Sequence, residues 1–183
     1  MKTKWLGMEG RYDGTQLRSL HNYLEAGLLG DSAVAFVGPC QVPFEHMVDG
    51  EDLVDRSEIR GDQMLHFLVE LFNQNLSTAV AFQRLMAALI KDVLEEREIS
   101  LRRSGDDLFF QDRKLSISIA TVSPVSALIH FAMNVTNQGT PVPTAALEEW
   151  GIDPRILAEE ILARIHREWE GVRIATQKVK WVK

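Results

Sequence analysis

Lys114, Ser116 and Ser118 alternate along one short stretch, directly after the polar pair Gln111-Asp112. Side chains two apart on an extended chain share a face. These three, with Ala120, therefore form a small polar face with a single cation at its edge. Leu115, Ile117 and Ile119 fall on the opposite face, which the alternation assigns to a core. A lysine beside hydroxyls can floor a pocket for an anionic or carbonyl-bearing ligand. Its ammonium offsets negative charge on a carboxylate or phosphoryl oxygen where water is excluded. Leu108 and Phe110 alternate on the other side of Gln111-Asp112, so residues 102–120 read as two strands joined by a tight turn. The same spacing also describes an ordinary antiparallel sheet with its polar face in water.

Other residues of catalytic type cluster less clearly. His130 and Asn134 share a face of residues 127–135, read as a third strand. His66 and Glu70 sit four apart in the apolar run 63–72, read as a buried strand, and so share a face. A buried His and Glu must find partners, and a hydrogen-bonded pair is the expectation. His46, Asp49, His66 and His130 show no metal-ligand spacing, and no metal site is assigned. Cys40 is the single cysteine; a buried thiol of this kind is usually a small hydrophobe.

The elements that must position these residues are legible from periodicity and breakers. A short strand or arm is expected up to about Arg11, then a helix opening at Asp13-Gly14-Thr15 with Leu17, Leu20, Leu24 and Leu28 at helical spacing. Residues 33–37 form a compact strand closed by Gly38-Pro39. The acidic stretch 40–60 reads as a loop or lid. Ser77 caps a helix to about Glu96, with an apolar stripe through Phe82, Leu85, Met86, Leu89, Ile90 and Val93. Thr144 opens a short helix ended by Gly151. Asp153-Pro154 starts a last long helix in the preferred cap-then-proline order, expected to stop at Gly171. The basic tail 172–183 is expected as an edge strand or arm.

With 183 residues, 45% of them hydrophobic and 25% charged, the chain has the size and composition of one domain, 1–183, with a substantial core. Its net charge of −6 argues against a general nucleic-acid binder. No apolar run reaches the length of a membrane span, and the first residues carry no signal-peptide pattern. A lone cysteine fits a reducing, cytoplasmic setting.

The string Asp107-Leu108-x-x-Gln111-Asp112-Arg113-Lys114-Leu115 resembles the central motif of biotin and lipoate protein ligases. There an Asn-Asp-hydrophobic strand turns into an Arg-Lys-(Ile or Leu) strand, whose Lys contacts the carboxylate and phosphate of the substrate acid and its acyl-adenylate. Lys114 matches that position, Asp106 stands where the family has Asn, and the family's Gly-rich stretch is reduced to Arg60-Gly61. Over its whole length the chain is similar to an uncharacterised family, domain of unknown function 366. The shared residues include Tyr12-Asp13-Gly14, Gly38-Pro39-Cys40, Met64-Leu65-His66-Phe67, Gln83-Arg84-Leu85, residues 114–121 and Pro141-Val142-Pro143.

These resemblances imply an α+β fold with a mixed, mainly antiparallel sheet and flanking helices, shared with the ligases and class II aminoacyl-tRNA synthetases. They imply an acid-activating ligase or acyltransferase using ATP and Mg²⁺ on a small carboxylic acid. Lys114 and Asp107 would be catalytic. Arg60, His66, Arg103, Gly105, Asp106, Ser116, Ser118, His130 and Asn134 would bind substrate, with Arg102 a further phosphate contact. The alternative is a non-catalytic small-molecule or nucleotide-binding or regulatory module on the same fold, which the reduced Gly-rich stretch permits. A homodimer is compatible with either.

Overall fold

The computed structural model describes residues 1–8 and 10–182. Glu9 and Lys183, in the expected N-terminal arm and basic tail, lie outside the described residues. In chain order the elements are β1 (Lys2–Gly7), α1 (His21–Ala26), β2 (Ser32–Val42), α2 (Gly50–Asp55), β3 (Ile59–Phe72) and α3 (Leu76–Glu95). They continue with β4 (Arg102–Ser104), β5 (Asp107–Phe110), β6 (Arg113–Lys114), β7 (Ser116–Val122), β8 (Ser126–Asn134) and α4 (Pro154–Gln177). A five-stranded sheet runs β1-β2-β3-β8-β7, and a small sheet runs β4-β5-β6. The β1–β2 pair is parallel; the other pairs of the large sheet are antiparallel. This is the expected α+β architecture. No helix among the described residues is long and apolar enough to cross a membrane.

One face of the large sheet is sealed by α3 and α4. The stripe of α3 buries Ala79, Phe82, Met86, Ile90 and Val93 against Leu65, Phe67, Ile129 and Phe131 of the sheet. Asn75, rather than Ser77, caps this helix, its side chain accepting from the Thr78 amide at 2.9 Å. Asp153 caps α4 as expected, accepting from Arg155 and Ile156. The helix runs through Gly171 to Gln177, because Trp169 anchors its last turns. The indole packs edge-on against Phe82 and donates to Asp31 Oδ2 at 2.8 Å. An interior glycine costs a helix only about 1 kcal/mol. The expected strand in the tail is therefore helix as far as Gln177, and Lys178–Val182 are exposed.

His66 and Glu70 share a face of β3 as expected, but they do not pair. Glu70 is buried, and its Oε1 accepts from the Leu20 amide and from Ser126 Oγ, both at 2.8 Å. The carboxylate thereby pins Leu20, which has left-handed backbone (φ 64°) at the start of α1. That helix is shorter than its leucine spacing implied, since residues 13–20 form turns. Removing the acceptor strands two donors, one from the main chain, and Glu70→Ala is expected to cost about 2 kcal/mol. Glu70→Gln keeps an acceptor oxygen and should recover most of that loss in urea unfolding.

Candidate functional site

The face of the large sheet opposite α3 and α4 carries the cleft. Strands β7 and β8 pair with Ser116 opposite Met133, Ile117 opposite Ala132, Ser118 opposite Phe131 and Ile119 opposite His130. Paired residues share a face. Ser116 and Ser118 therefore point with Met133 and Phe131 toward the helices, while Ile117 and Ile119 lie with His130 on the cleft face. Alternation separates serines from isoleucines as the sequence implies, but the faces are exchanged.

The cause is a break at Leu115. Its amide donates to Leu108 of the small sheet at 2.8 Å, and its carbonyl accepts from Asn134 of the large sheet at 3.0 Å. The chain changes sheets there. Leu115 is buried on the helix side, and β7 restarts one phase later. Both serines border the cavity, but their hydroxyls are already engaged. Ser116 Oγ accepts from the Leu108 amide at 2.9 Å. Ser118 Oγ donates to Asp106 Oδ2 at 2.6 Å and accepts from Gln83 Nε2 at 2.8 Å.

Lys114 does reach the cleft, a cavity of about 490 Å³ between the sheet and the segment around α2. Its ammonium lies 2.9 Å from Asp107 Oδ1, both side chains being about one-third exposed. Asp52 of α2 also faces this end. Burial, reinforced by Asp49, raises its carboxyl above the usual range, and Lys114 opposes the rise. The acidic stretch 40–60 thus holds a short helix, capped by Asp49, over the cleft. Asn134 is buried beside Lys114, its Nδ2 donating to the Ala145 carbonyl at 3.2 Å and, more weakly, to that of Lys114 at 3.4 Å. Arg60 lines the wall and pairs with Glu58 at 3.4 Å.

His66 and His130 meet because β3 and β8 are neighbours. His66 Nδ1 is 3.0 Å from His130 Nε2, and His66 Nε2 is 3.1 Å from the Gly38 carbonyl. Burial pushes His66 down to about 4 and His130 well below its ordinary value. Tyr12 lies face to face over His130, ring centroids 3.6 Å apart. In the sequence Tyr12 stands out only within Tyr12-Asp13-Gly14, shared with the resembling family, and no role for it was legible there. It is positioned because residues 10–12 run along β2. The Gly10 amide donates to Val37 and the Tyr12 amide to Pro39. That approach requires two glycines: a Cβ on Gly38 would sit 1.6 Å from the Gly10 carbonyl oxygen, and one on Gly10 would meet the Phe36 ring at 2.1 Å.

Several candidates stay outside. Arg102 and Arg103 are exposed on β4, the first stacked over Phe109 at 4.3 Å and the second donating to the Gly105 carbonyl. Gly105 forms the β4–β5 turn with φ 64° and does not line the cleft. Cys40 is buried on β2, and burial pushes its thiol up to about 12, so it is not a thiolate at neutral pH.

Known proteins share this architecture. An uncharacterised protein of Methanocaldococcus jannaschii, MJ0805, is 36% identical over 147 residues, covering 77% of this chain and 66% of that protein, just under two thirds of its length. A protein of unknown function from Pyrococcus horikoshi superposes with a TM-score of 0.94 at 43% identity, covering both chains completely. The biotin protein ligase of Aquifex aeolicus, as a mutant in complex with biotin, gives 0.63 at 18% identity over 93% of this chain and 70% of the ligase. That enzyme is also known with biotin and ATP bound. Ta0514 of T. acidophilum, a putative lipoate protein ligase with bound lipoic acid, gives 0.55 at 15% identity over 92% and 86% of the two chains. The fold is that of the biotin and lipoate protein ligases. The family described as domain of unknown function (DUF366) matches residues 1–180, and the chain belongs to it.

Proposed function

We propose that the cleft binds a small carboxylic acid through Lys114 and that the protein is a binding or regulatory module on the ligase fold. The observation that carries this reading is the half-buried Lys114 ammonium on the cleft wall, held in place by Asp107. An incoming carboxylate competes with Asp107 for the same cation and gains a charge-assisted hydrogen bond. Beyond Lys114 the wall offers Ile117 and Ile119, suited to the acid's methylene chain.

The residues present do not fit a nucleoside triphosphate. Asp49, Glu51, Asp52, Glu58, Asp106 and Asp107 line the cleft, against Lys114 and Arg60, each already facing a carboxylate. Arg102 and Arg103 lie elsewhere, and a Gly-rich main-chain cradle is missing from the sequence. Carboxylate oxygens are the donors Mg²⁺ takes, but Asp106 Oδ2 already accepts from Gln83 and Ser118. The second reading, acid activation with ATP and Mg²⁺, rests on the ATP complex of the Aquifex aeolicus ligase with the same fold.

The test is thermal stabilisation by biotin, lipoate, octanoate and amino acids, each with and without ATP–Mg²⁺. A ligand at a hundred times its Kd adds roughly 2.7 kcal/mol. Stabilisation by an acid that ATP does not change, without pyrophosphate release, supports the module. Pyrophosphate release on adding an acid establishes the activating enzyme instead. Lys114→Ala should weaken the bound acid at least tenfold in calorimetric titration, and an unchanged affinity would remove the lysine from the site.

A further inference from the structure

Helix α4 outruns the body of the protein. Trp169 is its last buried residue, and every residue from Gly171 to Val182 is exposed. A helix end that buries nothing is marginal in water, and exposed apolar residues in a row mark a contact surface. Here they are Val172, Ile174, Val179, Trp181 and Val182, with Trp181 82% exposed. Residues 171–183 also carry Arg173, Lys178, Lys180 and Lys183 and no acidic residue, which leaves −10 on the rest of the chain. A complementary surface lies on residues 44–58, where six acidic residues face Arg56 alone. Glu51, Val54 and Asp55 share one exposed side of α2 at helical spacing, and Val54 is 83% exposed. Neither Glu51 nor Asp55 has an ion-pair partner among the described residues. Elsewhere on the surface Glu25, Glu95, Glu96, Glu149 and Glu159 are each paired.

Within one chain these two surfaces cannot meet. Trp169 is held at Asp31, just before β2, whereas α2 follows the far end of that strand. The eleven residues of β2 put roughly 35 Å between those levels. Helix α4 starts near the end of β8, where the Glu148 amide donates to Val135, and runs away from α2. Its last eight residues carry the chain about 12 Å past Trp169. Residues 178–183 span at most about 20 Å. We infer that residues 172–182 dock on α2 of a second copy of this chain. Two copies lying antiparallel make the contact twice about a two-fold axis, so the assembly closes as a dimer. Val179 and Trp181 alternate with Lys178 and Lys180; the first two cover the partner's Val54, and the lysines meet its Glu51 and Asp55. Glu51 also lines the cleft, so each tail borders the cleft of the other copy. A polyanion is the poorer occupant, because the acidic remainder of the chain is repelled from it. The inference does not depend on what the cleft binds.

Sedimentation of the full chain across a concentration series tests it. At low salt the mass should rise to that of two chains. In about 1 M salt, where the screening length is about 3 Å, the dissociation constant should rise at least tenfold. Removing residues 178–183 should leave Tm unchanged and give a monomer. Glu51→Lys with Asp55→Lys, and separately Lys178→Glu with Lys180→Glu, should each be monomeric, and mixing these two proteins should restore the dimer. A monomer at every concentration overturns the inference. So does a dimer indifferent to the deletion, or a pair of charge variants that mixing does not restore. A monomer whose tail is needed to sediment with anionic phospholipid vesicles, or to retard single-stranded DNA, also overturns it and gives the tail a polyanion as partner.

Discussion

Acidification from pH 7 to pH 4 should lower the unfolding free energy by about 3 kcal/mol through His66 alone. The folded ring is fully buried, and its value of about 4 lies below the ordinary 6.5. Between those values the unfolded chain binds a proton that the folded chain refuses. The contribution is therefore complete above about pH 6.5 and is lost as pH falls toward 4. His130, depressed by burial and by the neighbouring imidazole, acts in the same direction. Exposed carboxylates such as Glu96 and Glu149, held low by Arg164 and Arg113, lose their contribution only at lower pH. Urea unfolding at pH 7, 5.5 and 4.5 should give a steep fall for the native chain and a shallower one for His66→Gln. Parallel pH profiles would mean that the pair does not resist protonation.

Gly38→Ala should cost about 3 kcal/mol, at the upper end of overpacking effects. The added methyl would meet the Gly10 carbonyl oxygen, a main-chain atom that cannot swing aside as a side chain does. Either β2 or residues 10–12 must move. The β2–β3 register already shifts between Gly38 and Cys40, and the Gly38 carbonyl receives His66 Nε2–H, so the displacement would reach the histidines. For a chain of this size the loss corresponds to roughly 6–12 °C in Tm. Gly50→Ala, at an exposed helix start with open space around it, is the control and should be near neutral. A Gly38→Ala protein as stable as the native one would show that residues 10–12 do not press on β2.

What the sequence made legible follows local rules. Asp153-Pro154 starts α4 because a cap and a preset φ act within one turn. Residues 127–135 are a strand because their alternation has no competing period. The misassigned features depend on distant partners. Trp169 carries α4 past Gly171 through Asp31 and Phe82, neither of them near it in sequence. His66 and His130 could each be read as cleft residues, but their contact exists only because β3 and β8 are adjacent. Glu70 was paired with the wrong neighbour for the same reason: its donors come from Leu20 and Ser126. The position of Lys114 at the cleft was legible because its motif is local, and Ser116 and Ser118 were placed on the wrong face because the motif straddles two sheets.

That crossing at Leu115 makes chain length, as well as composition, a determinant of the pocket's lining. Downstream of it, β7 is locked to β8, with Ile119 opposite His130. Upstream, the Gln111-Asp112 turn fixes Lys114 against Phe109. One residue spans the two frames. Inserting or deleting a single amino acid there would exchange hydroxyls for aliphatics along the wall of the cleft while leaving the amino-acid inventory almost unchanged. Divergence in the lining of the cleft on this scaffold is thus open to indels at one position, a route that substitution-by-substitution comparison of the strand would miss.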